Sequence, residues 1–265
     1  MLGPRLFDDG DTTTDAISEA RRTLDAANPD IDAPEDLIDD GPVPPGAGAE
    51  SAEAAVAGFL DAEAEGDFET SFGFLSAADR QLYRSPAGWE ASHADVFPTV
   101  VDYEIEEVGP DLVVTTVMFE PGLDPVVGLT PGRARITWDV PAGPEGDRGV
   151  ALETSQVEAI YPAEEGAAAA ARVWVDARQA CEPPTNERTL LLGVPSLADE
   201  LCDADGSPSL GDPQPLDDIQ ATPFFTAFGA EAVSASRVVR VSGPVELGAV
   251  LAPIGDEWSV IGVVP

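Results

Sequence analysis

The apolar spacing of this chain changes near Val100 from a helical repeat to a period of about two. Upstream, Val56, Phe59 and Leu60 recur at the spacing of one helix face, and Ser51 is a suitable residue to begin that helix. Downstream, apolar and polar residues alternate between turn-forming Gly-Pro and Pro-Gly pairs, which predicts a meander of strands. Helices are predicted over 51–66 and 67–83, and strands over 100–108, 111–121, 133–141 and 149–162.

The second half of the chain repeats this order. Helices are predicted over 167–180 and near 196–201, and strands over 223–228, 231–242, 244–254 and 257–265. The segment Gly58–Asp67 aligns without a gap on Val173–Glu182, which places Phe59 over Trp174. We therefore predict the α+β class, with two tandem domains over 51–163 and 164–265, each with N-terminal helices packed on an antiparallel sheet.

Residues 1–50 are predicted to be an acidic tether that contains one short helix. The helix is predicted over 14–27, because apolar residues recur there at helical spacing and Asn28-Pro29 would end it. The stretch that follows is rich in Asp, Pro and Gly and cannot bury enough apolar surface to offset the entropy of ordering, so disorder is predicted. A disordered tail and a stalk below a membrane anchor upstream of residue 1 both fit this composition.

The charge of the chain restricts its partners. Fifty acidic residues oppose thirteen basic ones, all of them Arg, and the formal net charge is −37. Such a field repels nucleic acid and anionic membrane surfaces and disfavours self-association, so we expect a monomer with no nucleic-acid partner. An acidic surface without lysine is typical of adaptation to high salt. The alternative is an electrostatic surface that attracts a cation or a basic partner.

Several short motifs resemble the nuclear transport factor two-like superfamily. They are Phe59-Leu60-x-Ala62, Gly66-Asp67 and Leu75-Ser76 in the first half, and Trp174-Val175-x-Ala177 and Trp258-Ser259-Val260 with Val263 in the second. Cys181, which aligns with Gly66, adds a similarity to acidic envelope proteins of this superfamily from GC-rich Gram-positive bacteria. The resemblance implies two cone-like domains, in which a long helix packs into a curved sheet. The superfamily includes isomerases, dehydratases and cyclases as well as non-catalytic envelope modules, so the resemblance does not decide the function.

The two cysteines of the chain, Cys181 and Cys202, lie in or next to two predicted helices. Two antiparallel helices can bring such a pair within bridging distance, so a disulfide is predicted, and two buried free thiols are the alternative. A disulfide indicates an extracytoplasmic or membrane-anchored exterior location, whereas free thiols leave a cytoplasmic one open. One His and two Cys are a poor zinc set, so no metal is expected.

Asp61, Tyr83 and His93 are the candidates for catalysis, because the cone-fold isomerases and lyases that the chain resembles use such groups for acid-base chemistry. His93 is predicted to lie in a turn, where a surface or loop-packing role is the alternative, and Asp61 has an ion pair as its alternative role. The strand positions that would line the cone, such as Val113 and Ile136, are almost all apolar. We therefore expect a filled core and no catalytic residue.

These features favour a non-catalytic binding or accessory module of the cell envelope, whose partner is an unidentified protein or small molecule. No phosphate-binding loop is present in the sequence, and no cofactor is expected. The alternative is a small-molecule isomerase, dehydratase or cyclase that uses the cavity of the first domain.

Overall fold

Among the described residues, four helices precede the first strand of the sheet. In this computed structural model, which describes residues 42–94, 98–125, 127–143, 146–188, 195–202 and 204–265, they are α1 (Ala52–Glu65), α2 (Phe68–Phe74), α3 (Ala77–Tyr83) and α4 (Pro86–His93). Each follows a residue whose side chain accepts a backbone N–H of the first turn, which is a favourable way to begin a helix. These capping residues are Ser51, Asp67, Ser76 and Ser85.

The helix predicted over 67–83 is two helices in the structure. Leu75 is extended, with φ −66° and ψ 156°, and Ser76 then caps α3. The apolar spacing runs across this break and therefore could not reveal it. No prediction corresponds to α4, which Ser85 caps and Pro86 begins, Pro being well suited to the first helical position.

Six strands follow in the first half of the chain: β1 (Val100–Val108), β2 (Leu112–Phe119), β3 (Gly122–Asp124), β4 (Gly128–Thr130), β5 (Arg133–Asp139) and β6 (Ala151–Ile160). The first sheet is antiparallel with the order β1-β2-β5-β6, as the alternation predicts, and β3 and β4 form a separate hairpin between β2 and β5. No strand was predicted for this segment, which lies between the turn-forming pairs Pro121-Gly122 and Pro131-Gly132. Mixed α+β structure with antiparallel sheets is confirmed.

The inner face of the first sheet packs against α1 to α4. Val113, Thr115 and Val117 of β2 are completely buried there, beside Ile136 and Trp138 of β5. Polar groups in this core are paired with each other: Thr115 accepts a hydrogen bond of 2.9 Å from the Trp138 indole. The described interior of the first half is therefore mostly apolar.

The outer face of the first sheet is polar and open to solvent. Arg135 of β5 is exposed, and its side chain donates to Glu106 of β1 over 2.9 Å, while Thr116 of β2 donates to the same carboxylate. Surface ion pairs of this kind contribute little to stability. The first sheet thus has one buried face only.

The second half contains α5 (Glu165–Gln179), α6 (Pro195–Asp199), β7 (Ser209–Leu210), α7 (Asp218–Ala235), β8 (Arg237–Ser242), β9 (Leu247–Ile254) and β10 (Glu257–Val264). The second sheet is antiparallel with the order β7-β8-β9-β10. Both of its faces are buried: every residue of β9 is buried, and every residue of β10 except Glu257. One face packs on α5, and the other packs on α7.

The strand predicted over 223–228 is wrong, because this segment belongs to α7. The helical segment is broken at Gly229, whose φ of 80° is not helical, and then continues to Ala235, so the strand predicted from 231 begins only at Arg237. Asp217 and Gln220 form a capping box at the start of α7, and Phe224 and Phe228 lie one turn apart on its buried side. Aromatic residues and Thr favour strands in general, but here the capping box and the helical spacing of the buried residues decide the structure.

The β3–β4 hairpin connects the two halves. Leu129 of β4 is buried with Phe224 and Phe228 of α7 and with Val250 of β9. The connection is tight elsewhere too, because a Cβ atom placed on Gly132 would lie 2.8 Å from the Cα atom of Gly255. The hydrophobic core on the α7 side of the second sheet is therefore built from both halves.

The segment 42–50, which was predicted as the end of the tether, packs on the first half. Ala49 is buried and pairs with Arg148, and the Ala47 N–H donates to the Gly73 carbonyl over 2.7 Å. Small side chains allow this contact although the composition of the segment cannot support a core by itself. Residues 1–41, with the rest of the predicted tether and its helix, lie outside the described residues.

Across the part of the chain that the structure describes, every helix falls short of the length or the hydrophobicity needed to cross a bilayer.

Candidate functional site

A cavity of about 330 Å³ lies at the C-terminal end of α1. Gly66 ends the helix in the left-handed conformation, with φ 68°, a value that glycine adopts without strain. The chain then turns sharply into α2. We call this cavity the α1-end cavity. Its lining includes Glu63, Glu65, Phe68, His93, Thr99 and Val100.

A buried carboxylate, that of Glu63, lies beside His93 in the lining of the α1-end cavity. The Nε2 atom of His93 is 2.6 Å from Oε2 of Glu63, and the two residues are only 9% and 8% exposed. The second carboxylate oxygen of Glu63, Oε1, is buried and has no hydrogen-bond partner among the described residues. A buried carboxylate oxygen without a partner is costly and marks a site that deserves a functional explanation.

Aromatic side chains hold the imidazole in place. The His93 ring stacks on Trp89 with 3.9 Å between ring centroids, and Phe68 meets it edge-on at 5.8 Å. Trp89 is itself fully buried, and its indole N–H donates to the Ser71 hydroxyl over 2.8 Å. The Glu63–His93 pair is thus positioned by α1, α2 and α4 together.

The prediction that His93 lies in a turn is wrong. It occupies the last turn of α4, a helix that was not predicted, and it is buried instead of being on the surface. Tyr83 contacts the other side of the same aromatic group, with 4.8 Å between its ring and that of Trp89. These two candidates therefore share one neighbour.

Asp61 lies elsewhere. It is exposed on α1 and accepts a hydrogen bond of 2.8 Å from the Tyr103 hydroxyl, so its described partner is neither Tyr83 nor His93. Burial, reinforced by the hydrogen bond to Asp61, raises the pKa of Tyr103 to about 12. Tyr103 therefore remains protonated at neutral pH and donates to the Asp61 carboxylate.

Glu63 was not among the predicted candidates, although its position carried a signal. It lies seven residues after Val56 and four after Phe59, which is on the apolar stripe that predicts the buried face of α1. A carboxylate on such a stripe has to find a partner or a ligand. Ala64, the next residue along the chain, is exposed.

The structure joins Cys181 and Cys202 by a disulfide, with 4.8 Å between their Cα atoms. Cys181 follows the end of α5, and Cys202 follows α6. Beside this bond, Arg178 pairs with Glu187 through a short contact and with Asp199 over 3.4 Å. The disulfide and the Arg178–Asp199 pair connect α6 to the end of α5, whereas Glu187 lies in the loop between the two helices.

Among the described residues, no three His, Cys, Asp or Glu side chains come together as a set of metal ligands. Comparisons with models of protein families, with curated proteins and with solved structures found no match for this chain.

Proposed function

We propose that this protein is a non-catalytic binding module of the cell envelope and that its ligand occupies the α1-end cavity. The Glu63–His93 pair carries the proposal, since it places a buried charged group with an unpartnered oxygen in the lining of a cavity of ligand size. The described core between the first sheet and its helices is mostly apolar, which supports a binding role over catalysis inside the sheet.

The fold proposal that accompanies this function is a pair of cone-like units of the nuclear transport factor two-like type. Two observations support it. Each half begins with helices and continues into a four-stranded antiparallel sheet whose strands follow the order of the sequence. Phe59 and Trp174, which the alignment superposes, are both buried on the helix that packs against the sheet of their own half. The halves differ because only the second sheet is covered on both faces.

An extracytoplasmic or membrane-anchored exterior location is part of the proposal. The disulfide between Cys181 and Cys202 supports it, since such bonds persist in oxidising compartments and are rare in the cytosol. The test is alkylation of free thiols in intact source cells, quenched with acid before lysis. Full protection of both cysteines is expected. Two labelled thiols would contradict the location.

The binding role is tested by filling the cavity. Ala64 lines it and is exposed, and Ala54 is an exposed alanine at the other end of the same helix. In a fragment screen by ligand-observed NMR, we expect Ala64→Phe to abolish a class of hits that Ala54→Phe retains. If no fragment depends on residue 64 while both variants remain folded, the cavity is not the ligand site.

The buried pair also favours a second candidate function, which is proton abstraction from a small molecule. His93 is held by Glu63 at 2.6 Å, as a general base is held by the group that orients it. The test is deuterium incorporation from D₂O into a panel of small ketones and hydroxy acids, followed by mass spectrometry. Exchange that His93→Gln abolishes would establish this function in place of the non-catalytic one.

A further inference from the structure

We infer that the α1-end cavity binds a small organic cation of the primary amine class. This inference rests on the proposed function, because it names the ligand of the same cavity. Three independent features of the described residues carry it: the sign of the charge around the cavity, the state of the Glu63 carboxylate, and the nature of the remaining wall.

The cavity is surrounded by negative charge. Glu63 and Glu65 line it, and no arginine is among the described residues of its lining. It also lies at the C-terminal end of α1, where the aligned peptide dipoles place partial negative charge. The whole chain has a formal charge of −37, which raises the local concentration of cations. A carboxylate or phosphate ligand would be repelled by each of these contributions.

The Glu63 carboxylate is only half satisfied. Oε2 contacts His93, whereas Oε1 has no hydrogen-bond partner among the described residues, although the side chain is only 7% exposed. An ammonium group has three donors and no acceptor, so it can supply the missing hydrogen bond and charge together. A neutral ligand can supply only the hydrogen bond.

The rest of the wall suits the carbon skeleton of an amine. Phe68 and Val100 contribute apolar surface, and an aromatic ring attracts a cation that approaches its face. A volume of about 330 Å³ is at the lower end of the range for ligand pockets, so it fits a small amine better than a peptide or a sugar chain.

The experiment compares three probes of one shape and different charge: n-butylammonium, n-butanol and butyrate. His93 is the single histidine of the chain, so tag-free protein gives one set of imidazole NMR signals that reports directly on the cavity. We expect n-butylammonium to shift these signals with a saturable dependence at physiological ionic strength, butanol to bind at least about tenfold more weakly, and butyrate to leave them unchanged.

Two variants separate the cavity from the general negative field. Glu63→Gln keeps the size and hydrogen-bonding capacity of the side chain, and it should weaken n-butylammonium binding about tenfold or more. Glu153→Gln, at an exposed position of β6, changes the net charge equally and should leave binding unchanged. If Glu63→Gln does not fold, Glu65→Gln serves in its place, with an expected weakening of about two- to threefold because this side chain is exposed.

The outcomes distinguish the two proposals. If all three probes bind alike and Glu63→Gln has no effect, the cation inference is wrong and the cavity remains a binding site. If n-butylammonium binds but Glu153→Gln weakens it as much as Glu63→Gln does, the attraction is general and the inference is again wrong. If no probe shifts the His93 signals, the inference fails, and the Ala64→Phe experiment decides separately whether the cavity binds anything.

Discussion

The two four-stranded sheets have similar strand order, but they differ in how many of their faces are covered. The first sheet buries one face against four helices and exposes a polar face, on which Arg135 pairs with Glu106. The second sheet is covered by α5 on one side and by α7 on the other. The burial of the strand residues shows this difference: β5 alternates between buried and more exposed residues, whereas β9 is buried throughout. Similar topology therefore does not imply a similar role, and the half with the open sheet also holds the candidate site.

The largest expected effect comes from placing a carboxylate on a central strand of each four-stranded sheet. Val250→Asp introduces a charge into the completely buried centre of β9, and we expect a loss of more than about 4 kcal/mol or failure to fold. Thr137→Asp, on the open face of β5, should cost about 1 kcal/mol or less. Urea denaturation measures both. Equal losses would show that the first sheet is covered as well.

Leu129→Ala tests whether the β3–β4 hairpin connects the halves. Leu129 is 5% exposed in a core shared with α7, so we expect a loss of about 3 kcal/mol. Val157→Ala, at a site that is 66% exposed, should change stability by less than about 0.5 kcal/mol.

The same variants show whether unfolding is cooperative. Trp89 and Trp138 report on the first half, and Trp174 and Trp258 report on the second. We expect one fluorescence transition in the wild type. Two transitions in the wild type would mean that the halves fold independently, if Leu129→Ala moves only the transition that Trp174 and Trp258 report.

The disulfide lies in the second half, where it joins the residues that follow α5 and α6. Replacing both cysteines by serine should lower the free energy of unfolding by about 3 kcal/mol, because the bond spans 21 residues of the unfolded chain. Chemical denaturation of the double variant, with reduced wild type as its control, measures the loss. An unchanged midpoint would show that α6 is held without the bond, by contacts such as the Arg178–Asp199 pair.

The smallest effect concerns Tyr103, whose pKa is raised to about 12 from an ordinary value of 10.0. The folded state favours the protonated phenol, so this contribution is complete below pH 10 and is lost as the pH rises from 10 towards 12. Tyr103→Phe should therefore reduce the fall in stability across that interval and cost less than about 1 kcal/mol at neutral pH. Denaturation midpoints measured across this range test it. An identical fall in the variant would contradict the assignment.

The first sheet could be predicted closely because turn-forming pairs bound its strands and their apolar residues recur at a period close to two. Alternation distinguishes an inner from an outer face, and Val113, Thr115 and Val117 lie on the inner face as expected. The sequence of the second half predicted less of its structure. A strand that is buried on both faces, such as β9, has no polar alternation, and the aromatic residues of α7 have strand-like propensity although a capping box begins a helix there.

The candidate site could be predicted only in part. His93 was visible as the single histidine, but its burial depends on α4, a helix of eight residues that is too short to show a periodic pattern. Glu63 is thirty residues away in sequence, and nothing local indicates that these two side chains meet. Pairs of this kind are produced by tertiary packing, so spacing along the chain cannot reveal them.

The β3–β4 hairpin has a consequence for synthesis of the protein on the ribosome. Leu129 emerges well before its neighbours Phe224, Val250 and Ile261 have been translated. At typical elongation rates of about 5–20 residues per second, the delay is on the order of ten seconds. During that time the apolar hairpin of a nascent first half has no partner in its own chain. We expect this short segment to be where a chaperone engages the growing polypeptide and where exchange of hairpins between neighbouring chains would begin.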